Sequence, residues 1–203
     1  MLRSTCLLAM TALCALLVFA GTVGAGAKFN KVLDIGSQAP GISGVGVDDK
    51  PYSLDAAKDA KAVVVIFTCN HCPVAMAYED RFIKLAQEYK DQGVSVVAVN
   101  VNNSEADKLD KMKERAEEKG FTFPYVYDSS QQSARKFGAS VTPQVFVLDK
   151  DRKVAYMGAF DDSMFASKVE QQFCRDAVNA VLEGKSVEVP ETRAKGCGIQ
   201  YED

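Results

Sequence analysis

The chain carries a single histidine, His71, and no tryptophan. It has no block of basic residues, and past residue 27 no apolar run approaches the ~20 residues of a membrane-spanning helix. Each shortage excludes something. With 24 Lys and Arg against 27 Asp and Glu, the formal charge is −3, which rules out a nucleic-acid groove and a basic surface for anionic membranes. The lone histidine argues against zinc. Cys69 and Cys72 have ligand spacing, but His71 lies between them and the next cysteines, Cys174 and Cys197, stand far downstream, whereas a structural site needs four ligands. We therefore expect neither a metal nor a cofactor.

The start of the chain reads as a removable leader. Arg3 supplies a positive n-region, residues 7–20 are apolar, and Ala25-Gly26-Ala27 has the small residues of a cleavage site. Residues 1–27 are thus expected to be a signal peptide, with export to a periplasmic or other extracytoplasmic compartment. The alternative is an uncleaved anchor, since no charge falls between Arg3 and Lys28. After cleavage, residues 28–203 are expected to form one domain with no stable membrane association, and this length suffices for a proper core.

Of the 6 cysteines, Cys6 and Cys14 leave with the leader. Cys69, Cys72, Cys174 and Cys197 remain in a compartment that permits disulfides, with three possible connectivities. Adjacency favours Cys69–Cys72 as one pair.

Hydrophobic periodicity gives alternating strands and helices. Residues 28–59 form a lead-in with at most short strands. Residues 62–67 are a continuous apolar run, as in a strand buried on both faces. Residues 73–90 read as a helix with Ala75, Tyr78, Phe82, Leu85, Ala86 and Tyr89 on one side, stopped by Gly93. A second buried strand covers 94–101. Ser104 and Asp107 resemble a capping box opening a charged helix to Lys119. A short strand or turn follows Pro124, then a short helix ending near Gly138. Residues 144–148 and 153–157 form a hairpin around Asp149-Lys150-Asp151. Ser163 reads as the cap of a last helix with Val169, Phe173, Cys174, Ala177, Val178, Val181 and Leu182 on its core side, and the tail is extended. The order predicts an α/β fold, a central mixed sheet with helices on both faces, and Cys69-x-x-Cys72 at the carboxyl end of the first core strand, where such sheets place their chemistry.

Three segments carry a family resemblance. They are "VVVIFTCNHC", a strand leading into Cys-x-x-Cys; the charged helical insertion after the next strand; and "SVTPQVFVLD". Together they resemble the redoxin branch of the thioredoxin superfamily, over roughly residues 35–189. That branch holds thiol-disulfide oxidoreductases, peroxiredoxins and peroxiredoxin-like proteins. The resemblance implies a thioredoxin fold, a cis-proline at Pro143, and a substrate groove shaped by Thr142 and Pro143, where a polypeptide partner adds as a short strand. It implies exchange of disulfides with a thiol- or disulfide-bearing protein substrate and a redox partner.

The residues fit that chemistry. A thiolate is the attacking species, and Cys69 is expected at the helix N-terminus, where free N–H groups stabilise it. Cys72, one turn in, would resolve the mixed disulfide. His71, between them, is expected to favour the thiolate of Cys69. Two alternatives stand beside this one. In a peroxide reductase, the proline and threonine that cradle the peroxide would fall at Val65 and Cys69, or in the other register at Ala62 and Ile66, and none of these supplies the needed groups. A non-catalytic binding module on the same scaffold is the other. Thioredoxins proper also have a tryptophan before the first cysteine, absent here, and a buried aspartate where this chain has Val63. Glu79 lies on the helical side of Cys72 and reads as a solvated glutamate, leaving no assigned proton acceptor. Cys174 reads as a buried thiol. Cys197 either pairs with Cys174 or reaches the active site as a third redox thiol.

Overall fold

The strand β3, Ala62–Phe67, is buried at every position, and its two-residue period divides it between two cores. Val64 and Ile66 pack with Val96 and Ala98 on one face of the sheet. Val63, Val65 and Phe67 pack with Val97 and Val99 on the other. Each such side chain contributes about 1.5–3 kcal/mol through burial, so a run with no polar alternation is stable only where both faces are covered.

The computed structural model describes residues 27–203. The expected leader and Cys6 and Cys14 lie outside the described residues, Ala27 apart. Short strands β1 (Ser43–Gly46) and β2 (Pro51–Ser53) precede β3. There follow helix α1 (Pro73–Tyr89), β4 (Val94–Asn100), α2 (Leu109–Lys119), β5 (Tyr125–Tyr127), α3 (Gln132–Phe137), β6 (Val141–Thr142), β7 (Gln144–Leu148), β8 (Val154–Gly158), α4 (Phe173–Leu182) and β9 (Cys197–Gly198). The main sheet runs β2-β1-β5-β4-β3-β7-β8, and β6 pairs with β9 in a second, two-stranded sheet. The β3–β4 and β4–β5 pairs are parallel, and the β7–β8 hairpin is antiparallel as expected. Tyr78, Phe82 and Leu85 of α1, Met112 of α2 and Cys174, Ala177 and Val178 of α4 cover one face. Ala134 and Phe137 of α3, with Ile42, cover the other. This is the mixed, doubly covered sheet that the periodicity predicts.

Three local expectations change. Ser163 caps no helix: α4 starts at Phe173, because the loop before it is held outward across α1, the Ser163 carbonyl accepting from Arg81 Nη1 at 2.8 Å. The charged insertion opens with a 3-10 turn, Glu105–Asp107, before α2, and Ser104 makes no side-chain bond to a backbone N–H there. Glu79 is buried rather than solvated, with Arg115 donating to both its oxygens at 3.0 and 2.6 Å.

The register of the central strands builds the site. Antiparallel pairing of β3 with β7 sets Phe67 opposite Gln144. Continued two residues past the end of the ladder, it sets Cys69 opposite Thr142.

Candidate active site

Pro73 fixes where α1 begins. It occupies the first helical position, where its missing N–H costs nothing and its φ suits the helix. The capping residue is therefore Cys72, whose Sγ accepts the Ala75 N–H at 3.4 Å. This corrects the expected placement: Cys72 holds the helix terminus, and Cys69 stands three residues ahead of it on the loop. Both sulfurs are buried, with Cys69 1% and Cys72 0% exposed.

Thr142 meets both cysteines. Its hydroxyl lies 3.1 Å from Cys69 Sγ, and its carbonyl oxygen accepts from Cys72 Sγ at 3.2 Å. The Thr142–Pro143 peptide bond is cis. The two thiols act as one acid. The Cys69 S–H donating to Cys72 pulls Cys72 down to about 4, against the effect of burial and with help from Cys197 and the Ala75 N–H. The same bond to Cys72, with burial and the nearby Asp107 charge, pushes Cys69 up, while the Thr142 hydroxyl opposes the rise. A pair sharing one proton has two placements for it. In one, Cys72 carries the charge under the helix end. In the other, Cys72 donates to the Thr142 carbonyl and Cys69 carries the charge under the Thr142 hydroxyl.

The loop between the cysteines is pinned by a residue that sequence reasoning assigned elsewhere. Asp107, fully buried, reaches in from the 3-10 turn. Its Oδ1 accepts the Asn70 backbone N–H at 2.8 Å and Asn100 Nδ2 at 3.1 Å. Its Oδ2 accepts the Ser104 hydroxyl at 2.5 Å and pairs with His71 Nδ1. Asn70 is also fixed by its own Nδ2 donating to the Ala106 carbonyl and by the Tyr125 hydroxyl, both at 2.9 Å. His71 is thus bonded to Asp107 and not to a cysteine sulfur. One ligand-type atom each from Cys69, His71 and Asp107 lie within 4.8 Å of one another. Those of Cys69 and Asp107 are engaged by Thr142, Asn70, Asn100 and Ser104, so the cluster is a hydrogen-bonded network.

The other two cysteines separate. Cys174 is buried in the core under α4, and burial pushes its thiol far up. Cys197 packs against Cys69, Cys72 and Ala75. Burial and the neighbouring Cys72 push it up to about 11. The pairing of Cys174 with Cys197 is therefore not made, and both are free. The strand β9 lies antiparallel on β6 with Thr142 opposite Cys197. Beside Pro143 opens a cavity of about 370 Å³ lined by Val74, Tyr78, Phe160 and Met164. Val63 and Val65, the positions of interest in the thioredoxin and peroxiredoxin comparisons, face the opposite core.

A mixed sheet of this order, with Cys-x-x-Cys at a strand end facing a cis-proline, defines the thioredoxin fold. The Redoxin family model matches residues 34–172, and the chain belongs to that family, within the thioredoxin superfamily. The thiol-disulfide oxidoreductase ResA of Geobacillus thermodenitrificans (strain NG80-2) is 34% identical over 86 residues, which are 42% of this chain and 45% of that protein. The protein of the same name from Bacillus thuringiensis (strain Al Hakam) is 30% identical over 125 residues, 60% of this chain and 68% of that one. The chain thus spans between about half and two thirds of the length of these curated relatives. An uncharacterized conserved protein from Geobacillus kaustophilus superposes with a TM-score of 0.80 at 34% identity, covering 89% of this chain and 98% of that one. Among the described residues no helix is long and apolar enough to cross a membrane.

Proposed function

We propose that the protein is an exported thiol-disulfide oxidoreductase whose redox couple is Cys69–Cys72, exchanging disulfides with a protein or small-thiol partner. The observation that carries this is the contact of one residue, Thr142, with both sulfurs: hydroxyl to Cys69, carbonyl to Cys72. Cys69 is the entering nucleophile. As it attacks, its proton passes to Cys72 and its charge is received by the Thr142 hydroxyl. Cys72, drawn well below an ordinary thiol, then gives that proton up and resolves the mixed disulfide by bonding to Cys69. The partner's two sulfurs leave reduced, and the protein is left with one disulfide. Partners enter from the cavity beside Pro143, since the edge of Thr142 is covered by β9. The leader-like residues 1–27 and the cysteine usage support export.

The test is a pair of variants assayed on a model disulfide and by non-reducing gels. Cys69→Ser should abolish turnover. Cys72→Ser should attack and accumulate mixed disulfides. Trapping by Cys69→Ser with normal turnover by Cys72→Ser would reverse the roles, and normal turnover by both would remove the couple from the chemistry. A glutathione titration of the native protein then gives the direction, since known members lie near −120 mV as oxidants and near −270 mV as reductants.

A further inference from the structure

We propose that Cys197 is a third exchanging thiol, carried on an internal substrate strand that occupies the cis-proline edge, and that it forms a disulfide with Cys72. The inference rests on the assignment of Cys69–Cys72 as the redox couple.

The edge of Thr142 is where an extended partner would add as a strand, and the chain's own C-terminal segment is there. Its register places Cys197 directly opposite Thr142, the residue that touches both sulfurs of the couple. The fit is close. A Cβ on Gly196 would overlap the Thr142 carbonyl and lie 3.2 Å from Pro143 Cδ, so the residue before Cys197 has room only for hydrogen. The segment is fastened beyond the cysteine as well. The Ile199 N–H donates to the Ser140 carbonyl at 3.0 Å. Gln131, itself buried, donates to the Gln200 carbonyl at 2.9 Å and accepts the Glu202 N–H at 2.8 Å. The Tyr201 hydroxyl donates to the Ala139 carbonyl at 2.6 Å. A tail tied on both sides of its cysteine delivers that sulfur to one place, against the cluster of Cys69, Cys72 and Ala75, with Cys72 as its hydrogen-bonding neighbour.

The step is an isomerisation. In the oxidised protein, Cys197 sulfur bonds to Cys72, and the Cys69–Cys72 bond breaks. Cys69 leaves as a thiolate beneath the Thr142 hydroxyl and takes up the proton that Cys197 gives up. One disulfide replaces another, with no net oxidation and no external reagent. The chemistry also removes an obstacle to itself. Burial first, and then the hydrogen bond and charge of Cys72, hold Cys197 protonated, and both Cys72 contributions are gone once Cys72 is in a disulfide. The result frees the Cys69 thiol while the oxidising equivalent is stored in the Cys72–Cys197 bond.

The experiment maps disulfides in the native protein and in Cys69→Ser and Cys197→Ser after oxidation with oxidised glutathione, acid quench, alkylation and tryptic mass spectrometry. Cys69 and Cys72 share one tryptic peptide, between Lys61 and Arg81, whereas Cys197 lies in the last one, after Lys195. In Cys69→Ser, Cys72 reduces glutathione disulfide to a mixed disulfide, and Cys197 displaces the glutathione. The expected result is two linked peptides in most Cys69→Ser chains, a detectable linked fraction with Cys69 alkylated in the native protein, and complete loss of the linked species in Cys197→Ser. Cys72 ending as its glutathione adduct or alkylated in Cys69→Ser, with no linked peptides in the native protein, overturns the inference. The mapping needs no turnover. An absence of disulfide exchange by the native protein would count against the proposed enzyme, and the peptides would still decide the chemistry of Cys197.

Discussion

The two walls of the cysteine site are built on opposite principles. On the side of β4, the loop between the cysteines is held by a single carboxylate, Asp107, whose four partners converge from Asn70, His71, Asn100 and Ser104. On the side of β7, the sulfurs are met by one short strand, Thr142 and its cis-proline, covered in turn by β9. The first wall brings a fixed negative charge toward Cys69 and makes its ionisation harder. The second brings a hydroxyl that makes it easier. One wall sets the shape of the loop, and the other places the electrons.

Breaking the second wall should have the largest effect. Thr142→Val keeps the shape and removes the hydroxyl on Cys69. A hydrogen bond to a charged sulfur is worth about 1.5–3 kcal/mol, so disulfide exchange should slow by roughly 10- to 100-fold, read by stopped-flow reduction of a model disulfide. A slowing of less than threefold would remove Thr142 from the charge transfer. Breaking the first wall acts in the other direction on the couple. Asp107→Asn removes a charge that opposes the thiolate, so the reduced form gains and the potential rises, by about 30 mV for each ~1.4 kcal/mol. A glutathione titration measures it, and a fall in potential would contradict the assignment.

The pH dependence sharpens the contrast between the walls. Cys72 is depressed from an ordinary thiol value of 9.0 to about 4. The stability that ionisation lends the reduced protein is therefore complete above about 9 and lost as pH falls through about 4. Thiolate absorbance of the reduced protein should persist through pH 6 and disappear only toward 4, and a midpoint near 9 would show that the proton is not shared. The smallest effect belongs to His71→Ala. His71 is partly exposed and donates to Asp107, so its loss leaves the carboxylate charge less offset. The potential should fall by a fraction of the Asp107→Asn shift and with opposite sign, since the substitution removes one of the carboxylate's four hydrogen-bond partners and leaves its charge in place. No change would confine His71 to the loop surface.

What was legible in the chain was what local repetition encodes. The run of residues 62–67 matches β3 at both ends, and the hairpin around Asp149-Lys150-Asp151 and the short helix ending at Gly138 follow from turn chemistry close by. Asp107 is visible as a residue, but its place is not. Its spacing from Ser104 fits a helix cap, and nothing in a linear spacing says that the carboxylate turns inward toward Asn70. Glu79 had a readable signal, since it lies on the side shared by Ala75 and Phe82, where a solvated residue has no place. The cap at Cys72 was also readable, from Pro73 alone. The meeting of Thr142 with Cys197 joins segments far apart in the chain, and only the register of β6 and β9 fixes it.

The short tether of β9 has a consequence for affinity. Thr192 is anchored by its Oγ1, which lies 2.6 Å from the Tyr156 hydroxyl and accepts the Ala159 N–H at 3.0 Å, and Cys197 follows within a few residues. A strand on so short a leash meets its docking edge at an effective concentration on the order of millimolar. A free peptide present at micromolar levels loses that competition unless it is also held elsewhere, and the cavity lined by Val74, Phe160 and Met164 offers the second foothold. Selectivity among partners is thus set by who can evict the resident strand, and less by who fits the edge that it covers.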